Sequence, residues 1–248
     1  SLMGFPNYAA WKLQDQMAKT PAAVESLFAK LVPSATARAK TEAAEIQTLI
    51  DQQKGGFKLE ANDWNYYAEQ VRKAKYDLNE SEIKPYFEMN NVLKNGVFYA
   101  ATKLYGITFK ERTDLPVYHK DVKVYELFNE DKTAIGLFYY DFFKRDTKSG
   151  GAWMDNMVGQ SKLLGTKPVI FNVCNFTKPA EGQPALISFD EVTTMFHEFG
   201  HALHGFFANQ QYPSLSGTNV ARDFVELPSQ FNEHWAVNPE VFKNYAIH

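Results

Sequence analysis

His197, Glu198 and His201 stand in the order His-Glu-x-x-His, within Phe196-His197-Glu198-Phe199-Gly200-His201. On a helix the two histidines are about 400° and ~6 Å apart, so both imidazoles project from one face toward a common point. Two neutral imidazoles suit zinc, which prefers nitrogen and sulfur donors in a tetrahedral shell. Glu198 lies on the flank of that face, where its carboxylate can reach a water without displacing it and take its proton. Many zinc proteins carry this pattern, so alone it names no reaction.

A zinc that does chemistry needs a third protein ligand and one open position. No His-x-x-Gly-x-x-His extension follows, because the chain continues Ala202-Leu203-His204-Gly205-Phe206. His204 returns to the same face but lies ~10 Å along the axis from His197, too far to share the ion; it is expected to line the cleft as a polar contact. Glu226, in Asp223-Phe224-Val225-Glu226-Leu227-Pro228, opens the following helix, and a tight link can fold it back over the motif. A solvated first-turn carboxylate, favoured by the helix dipole, fits that position equally well. Position alone leaves both readings open.

The elements that must carry these residues can be traced along the chain. The first hundred residues are helical in pattern. Phe5 to Lys12 reads as helix, Thr20-Pro21 is a capped helix start, and Ser34 to Gln53 has Ile46, Leu49 and Ile50 at helical spacing before Gly55-Gly56. Asp63 and Ser81 are expected caps of two further helices, and a long helix is predicted from Pro85 to about Tyr105, ending at Gly106. From Ile107 to Phe176 the period drops toward two, which predicts strands at about 107–112, 121–128, 134–141 and 168–175. A turn is expected at 129–132 and a loop at 148–151. Asp190 is the expected cap of the motif helix, at about 190–208, and another helix should run from Asp223 to Ala236. The expected architecture is α+β and mainly helical, with helices around a small sheet beside the motif helix. Residues 1–248 are anticipated to form a single catalytic-core piece, with 1–106 helical, 107–176 the small sheet and 177–248 the zinc-binding helices.

The bulk properties are those of a globular protein: 45% hydrophobic, 22% charged, net charge −3. That charge gives no strong field for nucleic acid or an anionic membrane, so neither is expected as a partner. Cys174 is the single cysteine, which rules out an internal disulfide and fits a reducing, cytoplasmic setting.

The stretch Phe196 to His204, followed by Ser216-Gly217-Thr218-Asn219-Val220-Ala221-Arg222-Asp223-Phe224-Val225-Glu226-Leu227-Pro228-Ser229-Gln230, resembles the thimet oligopeptidase and neurolysin family of zinc peptidases. Phe231-Asn232-Glu233-His234-Trp235-Ala236 and Gly4 to Trp11 look most like the bacterial peptidyl-dipeptidases of that family. Lys144-Arg145, Gly150 to Trp153 and Asn172 to Asn175 extend the similarity through the chain. The resemblance implies a zincin-like core with one zinc held by His197, His201 and Glu226, and Glu198 as general base. It further implies a monomer that hydrolyses oligopeptides and releases C-terminal dipeptides, with an oligopeptide endopeptidase or a zinc-binding piece without activity as the alternatives. The family's later segment rich in His, Gly and Tyr, which contacts substrate, has no counterpart here, and both ends read as cuts through helices.

Other residues are assigned less directly. Ser229, Gln230 and Glu191 have the spacing to orient ligands, though each also fits an ordinary helix position. The strand Asn172-Val173-Cys174-Asn175 is expected to offer an edge to an extended peptide. Arg145 and Lys148 are expected in a solvated loop, with substrate contact as the second reading. Cys174 is expected to be a small buried filler, because no histidine partner lies near it in sequence.

Overall fold

The computed structural model describes residues 2–76 and 79–248. The chain divides into two compact units, one up to Glu82 and the other Ile83–His248. In the first, α1 (Tyr8–Leu13) is capped by Asn7, whose side chain accepts from Ala10 N at 2.9 Å. Thr20 caps α2 (Pro21–Gln52) in the same way, as its hydroxyl followed by proline predicts. The two stretches read separately around residue 33 are one helix, which runs through Pro33 and forgoes a single backbone hydrogen bond there. Helix α3 (Trp64–Tyr76) begins directly after Asp63 and packs on α2, where Ile46 and Ile50 are buried. Asn79, not Ser81, is the acceptor at the start of the short α4 (Glu80–Ile83); its side chain receives both the Ser81 N–H and the Ser81 hydroxyl.

The second unit holds the sheet and the motif. The predicted long helix is present as α5 (Met89–Asn91), a π-helical stretch Val92–Phe98 and α6 (Tyr99–Tyr105) in direct succession. It stops at Gly106, whose φ of +70° is a left-handed conformation that glycine adopts without strain. Five strands follow: β1 (Thr108–Glu111), β2 (Lys123–Phe128), β3 (Ala134–Phe143), β4 (Trp153–Val158) and β5 (Val169–Phe176). Their order is β1-β2-β3-β5-β4, with β3 and β5 parallel and the other neighbours antiparallel. β5 is therefore interior, and β4 forms the edge.

Alternation along the strands sends Phe138, Tyr140, Phe142, Ile170 and Cys174 into the main core. Helix α7 (Phe189–Phe206) covers that face with Val192, Met195, Phe196, Phe199, Ala202 and Phe206, all buried. Burial of one such aromatic or aliphatic side chain stabilises the fold by roughly 1.5–3 kcal/mol. Phe98 stacks on Phe109 at 3.9 Å and meets Phe199 at a tilt of 56°, which ties the long helix to β1 and α7. Helices α8 (Glu226–Glu233) and α9 (Pro239–Tyr245) complete the unit. No helix among the described residues is long and apolar enough to cross a membrane.

Candidate metal centre

The motif helix is started by Ser188 and not by Asp190. The Ser188 hydroxyl accepts from Glu191 N at 3.2 Å, and Glu191 Oε2 accepts from Ser188 N at 2.8 Å. This reciprocal cap uses the Glu191 carboxylate, so Glu191 is spent on the helix end rather than on a ligand. One side of α7 is fixed against the sheet, and the side bearing His197 and His201 faces α8.

Helix α8 approaches α7 closely because residue 200 is glycine. A Cβ at Gly200 would lie 2.7 Å from Ser229 Cα and 3.0 Å from the Pro228 carbonyl oxygen. Asn232 reinforces the contact by donating from Nδ2 to the Phe196 carbonyl at 2.6 Å. At this separation the first residue of α8 reaches the motif. Glu226 Oε2 stands 3.2 Å from His197 Nε2 and 3.1 Å from His201 Nε2. Donor atoms of His197, His201 and Glu226 all lie within 4.8 Å of one another.

These distances can be tested against a tetrahedral zinc ion. Ligands about 2.0–2.2 Å from the metal stand about 3.3–3.5 Å from each other in that geometry. Observed spacings of 3.1 and 3.2 Å are shorter than that by only about 0.1–0.2 Å, within the tolerance of roughly 0.2 Å for a zinc site. Two nitrogens and one carboxylate oxygen are the donor set zinc favours, and the residues fit such an ion.

The candidate ligands are oriented from behind. Glu233 Oε1 lies 2.6 Å from His197 Nδ1. A carboxylate only accepts, so Nδ1 carries the proton and Nε2 keeps its lone pair free toward the centre. The Ser229 hydroxyl donates to Glu226 Oε2 at 2.8 Å. Ser229 thus bonds a candidate ligand as its spacing suggested, whereas Gln230 is exposed. Glu233 escaped the sequence reading, although Glu226 and Glu233 are seven residues apart and share a helix face, a periodicity that was available.

Glu198 is 5% exposed and borders a hollow of about 270 Å3 together with the two histidines, Glu226, Trp153 and Met154. Burial pushes its carboxyl up to about 7; the nearby His197 opposes this and the Glu226 charge adds to it. Burial also lowers the His201 imidazole, against the pull of Glu226. Burial pushes Glu226 upward, but the Ser229 hydroxyl and the two histidines outweigh it and hold the carboxyl below the ordinary range. The site therefore holds a carboxylate among basic nitrogens and, beside it, a second carboxyl poised to exchange a proton near neutrality.

Three expectations need correction. β5, with Asn172 to Asn175, has no free edge, since it lies between β3 and β4. The edge beside the site is β4, which was not foreseen; its Trp153-Met154-Asp155-Asn156-Met157-Val158 run between Gly151 and Gly159 was the available signal. Arg145 and Lys148 do lie in a loop with exposed neighbours, but their own side chains are turned inward and not solvated. Arg145 makes two 2.7 Å bonds to Asp141, and Lys148, its side chain 5% exposed, donates to Asp141 and to the Phe143 and Cys174 carbonyls. Together they pin the loop that delivers Trp153 and Met154 to the site. His204 lines a different, apolar hollow of about 570 Å3, next to Leu203 and Phe207, and is not among the converging donors. Cys174 is fully buried, its thiol pushed far up by that burial, in keeping with a filler.

Residues 1–248 match the family model of peptidase family M3. The chain is 60% identical over 247 residues to a dipeptidyl carboxypeptidase of Salmonella typhimurium, covering 100% of the chain and 36% of that relative. It is 59% identical over 248 residues to the dipeptidyl carboxypeptidase of Escherichia coli, again covering 36% of that protein. It is 41% identical over 251 residues to oligopeptidase A of Salmonella typhimurium, covering 37%. The chain thus spans little more than a third of the length of the curated relatives it matches.

Proposed function

We propose that this chain, which belongs to peptidase family M3, carries the metal-binding and proton-transferring part of a zinc peptidase that removes dipeptides from the C-termini of oligopeptides. His197, His201 and Glu226 hold the ion, and Glu198 is the general base. One observation carries this reading: a single carboxylate oxygen, Glu226 Oε2, lies within 3.2 Å of both motif imidazoles, while Glu198 opens onto the same hollow.

Zinc, when bound, supplies a Lewis acid that polarises a peptide carbonyl and makes a water more acidic. The chain's own residues do the rest. Glu198 Oε2 is buried, which leaves Oε1 to take the proton from the attacking water and pass it to the departing nitrogen. The free edge of β4 accepts the peptide as an added strand, with Trp153 and Met154 beside the scissile bond. Glu233 and Ser229 hold His197 and Glu226 in place while charge develops. The 41% identity to an oligopeptidase A supports a second reading, internal cleavage of oligopeptides by the same residues. A cytoplasmic monomer is part of the proposal.

The test has two steps. Purified without chelator, the protein should hold about one zinc per chain, measured by elemental analysis; a metal-free protein that takes up no zinc on titration removes the reading. The full-length protein should then release dipeptides from peptides with a free C-terminus and leave C-terminally blocked ones intact. Equal cleavage of both replaces dipeptide release by internal cleavage.

A further inference from the structure

Behind Glu198, between the sheet and α7, lies a patch of polar atoms the mechanism above does not use. Glu198 Oε2 and both amide atoms of Asn172 are buried and meet no hydrogen-bond partner among the described residues, and the Tyr140 hydroxyl has only the Cys174 thiol, a weak partner, against it. The three side chains are 5%, 1% and 0% exposed. Interior polar groups are nearly always paired, so a group of them left open on one surface points to a ligand between them.

The fold brings these atoms together. Tyr140 on β3 and Asn172 on β5 are register partners, so their side chains leave the sheet on the same face. That face is the one toward α7: Ile170, two residues before Asn172, presents its Cδ1 to Gly205 of the helix. Cys174, two residues after Asn172, sets its thiol against the Tyr140 hydroxyl. Met154 on β4, the register partner of Asn172 on its other side, reaches Gly205 of α7 with its Cε and lines the hollow together with Glu198. Glu198, buried on the same helix, thus borders the same patch.

We propose that Tyr140 and Asn172 are positioning residues for Glu198, acting through internal water held between their polar atoms and Glu198 Oε2. This rests on the reading of Glu198 as the base. The donor count fits: Glu198 Oε2 and Asn172 Oδ1 accept, the Tyr140 hydroxyl and Asn172 Nδ2 donate, and water does both. With Oε2 tethered, the carboxyl cannot rotate about its last bond, and Oε1 stays aimed into the hollow.

The test joins a high-resolution crystal structure of the metal-loaded protein to kinetics of the full-length enzyme. An ordered water within hydrogen-bond distance of Glu198, Tyr140 and Asn172 is expected, and it should be lost in Tyr140→Phe. Tyr140→Phe and Asn172→Leu should each lower kcat about tenfold, with KM and zinc content unchanged. Tyr125→Phe, which removes another buried hydroxyl from the same sheet face, should leave kcat as it was. Glu198→Gln in the same assay keeps the two proposals apart. If Glu198→Gln is inactive while Tyr140→Phe and Asn172→Leu turn over normally, or if the patch is dry, positioning by water is overturned and Glu198 remains the base. If Glu198→Gln is active, the base assignment itself falls.

Discussion

Gly200→Ala tests whether the close approach of two helices is what builds the metal centre. The new Cβ would sit 2.7 Å from Ser229 Cα and 2.9 Å from Asn232 Cβ. Carbon atoms rest about 3.5–4.0 Å apart, so α8 must retreat by about 1 Å. The neighbour in the way is backbone at Ser229 and cannot swing aside as a side-chain tip can. Glu226 would move with α8, and a ligand oxygen displaced by about 1 Å lies far outside the tolerance of roughly 0.2 Å for a zinc site. Stability should change less. Overpacking costs about 1–3 kcal/mol, while alanine in a helix interior regains up to about 1 kcal/mol over glycine. A net loss of about 1–2 kcal/mol corresponds to a fall in Tm of about 2–8 °C for a chain of this size. Zinc affinity, measured by competition with a chromogenic chelator, should drop at least about tenfold, as it does when a ligand's support is removed. Gly205→Ala is the control. Its Cβ meets the side-chain tips Ile170 Cδ1 and Met154 Cε, at 2.5 and 2.8 Å, on the sheet side of α7. It should lower Tm by a similar amount and leave zinc affinity unchanged. Wild-type affinity in Gly200→Ala would refute the argument that helix separation sets the site.

Glu198→Gln should retain zinc by elemental analysis and lose nearly all turnover in the full-length protein, since the amide cannot accept a proton at Oε1. Glu233→Gln should weaken zinc binding about 10- to 100-fold in the same chelator competition, because the amide no longer fixes His197 as a strong carboxylate partner does. Asp141→Asn should lower stability by about 3–5 kcal/mol in urea unfolding at neutral pH, leaving Lys148 buried without its counter-charge. Burial pushes the Asp141 carboxyl up, but Arg145 and Lys148 outweigh it and hold the pKa below the ordinary value. Its contribution is therefore complete above the usual aspartate pKa and lost as pH falls through the depressed one. Acid unfolding curves of wild type and Asp141→Asn should converge at low pH; a constant gap would show that Asp141 acts by shape and not by charge.

Much of the chain was legible because local signals sufficed. His197 and His201 are bound to one helix, and the helical repeat alone brings their rings together, with centroids 4.9 Å apart. Thr20-Pro21 and Gly106 mark ends whose conformation is dictated by the residue itself. Four strands announced themselves by alternation or by dense β-branched and aromatic content. Glu226 was only half legible: its sequence position fits a solvated carboxylate equally well, and the decision belongs to the packing of α8 on α7 at Gly200. The misreading of Arg145 and Lys148 has the same origin. A Lys-Ser-Gly-Gly run is polar in composition, and nothing local reveals that Asp141, on a strand, has left a buried charge for it to neutralise.

The strand order explains the remaining error and gives it chemical meaning. A parallel β3–β5 pair needs a crossover, and the intervening chain makes it by running antiparallel to β5 as β4 before returning. The strand nearest the motif in sequence is thereby enclosed, and the one before it becomes the edge. An enclosed β5 can turn Asn172 and Cys174 inward beneath Glu198, while an open β4 keeps backbone groups unpaired above the hollow. In the proposed mechanism one topological step would thus divide the work, with β5 supporting Glu198 and β4 offering its edge to the extended peptide.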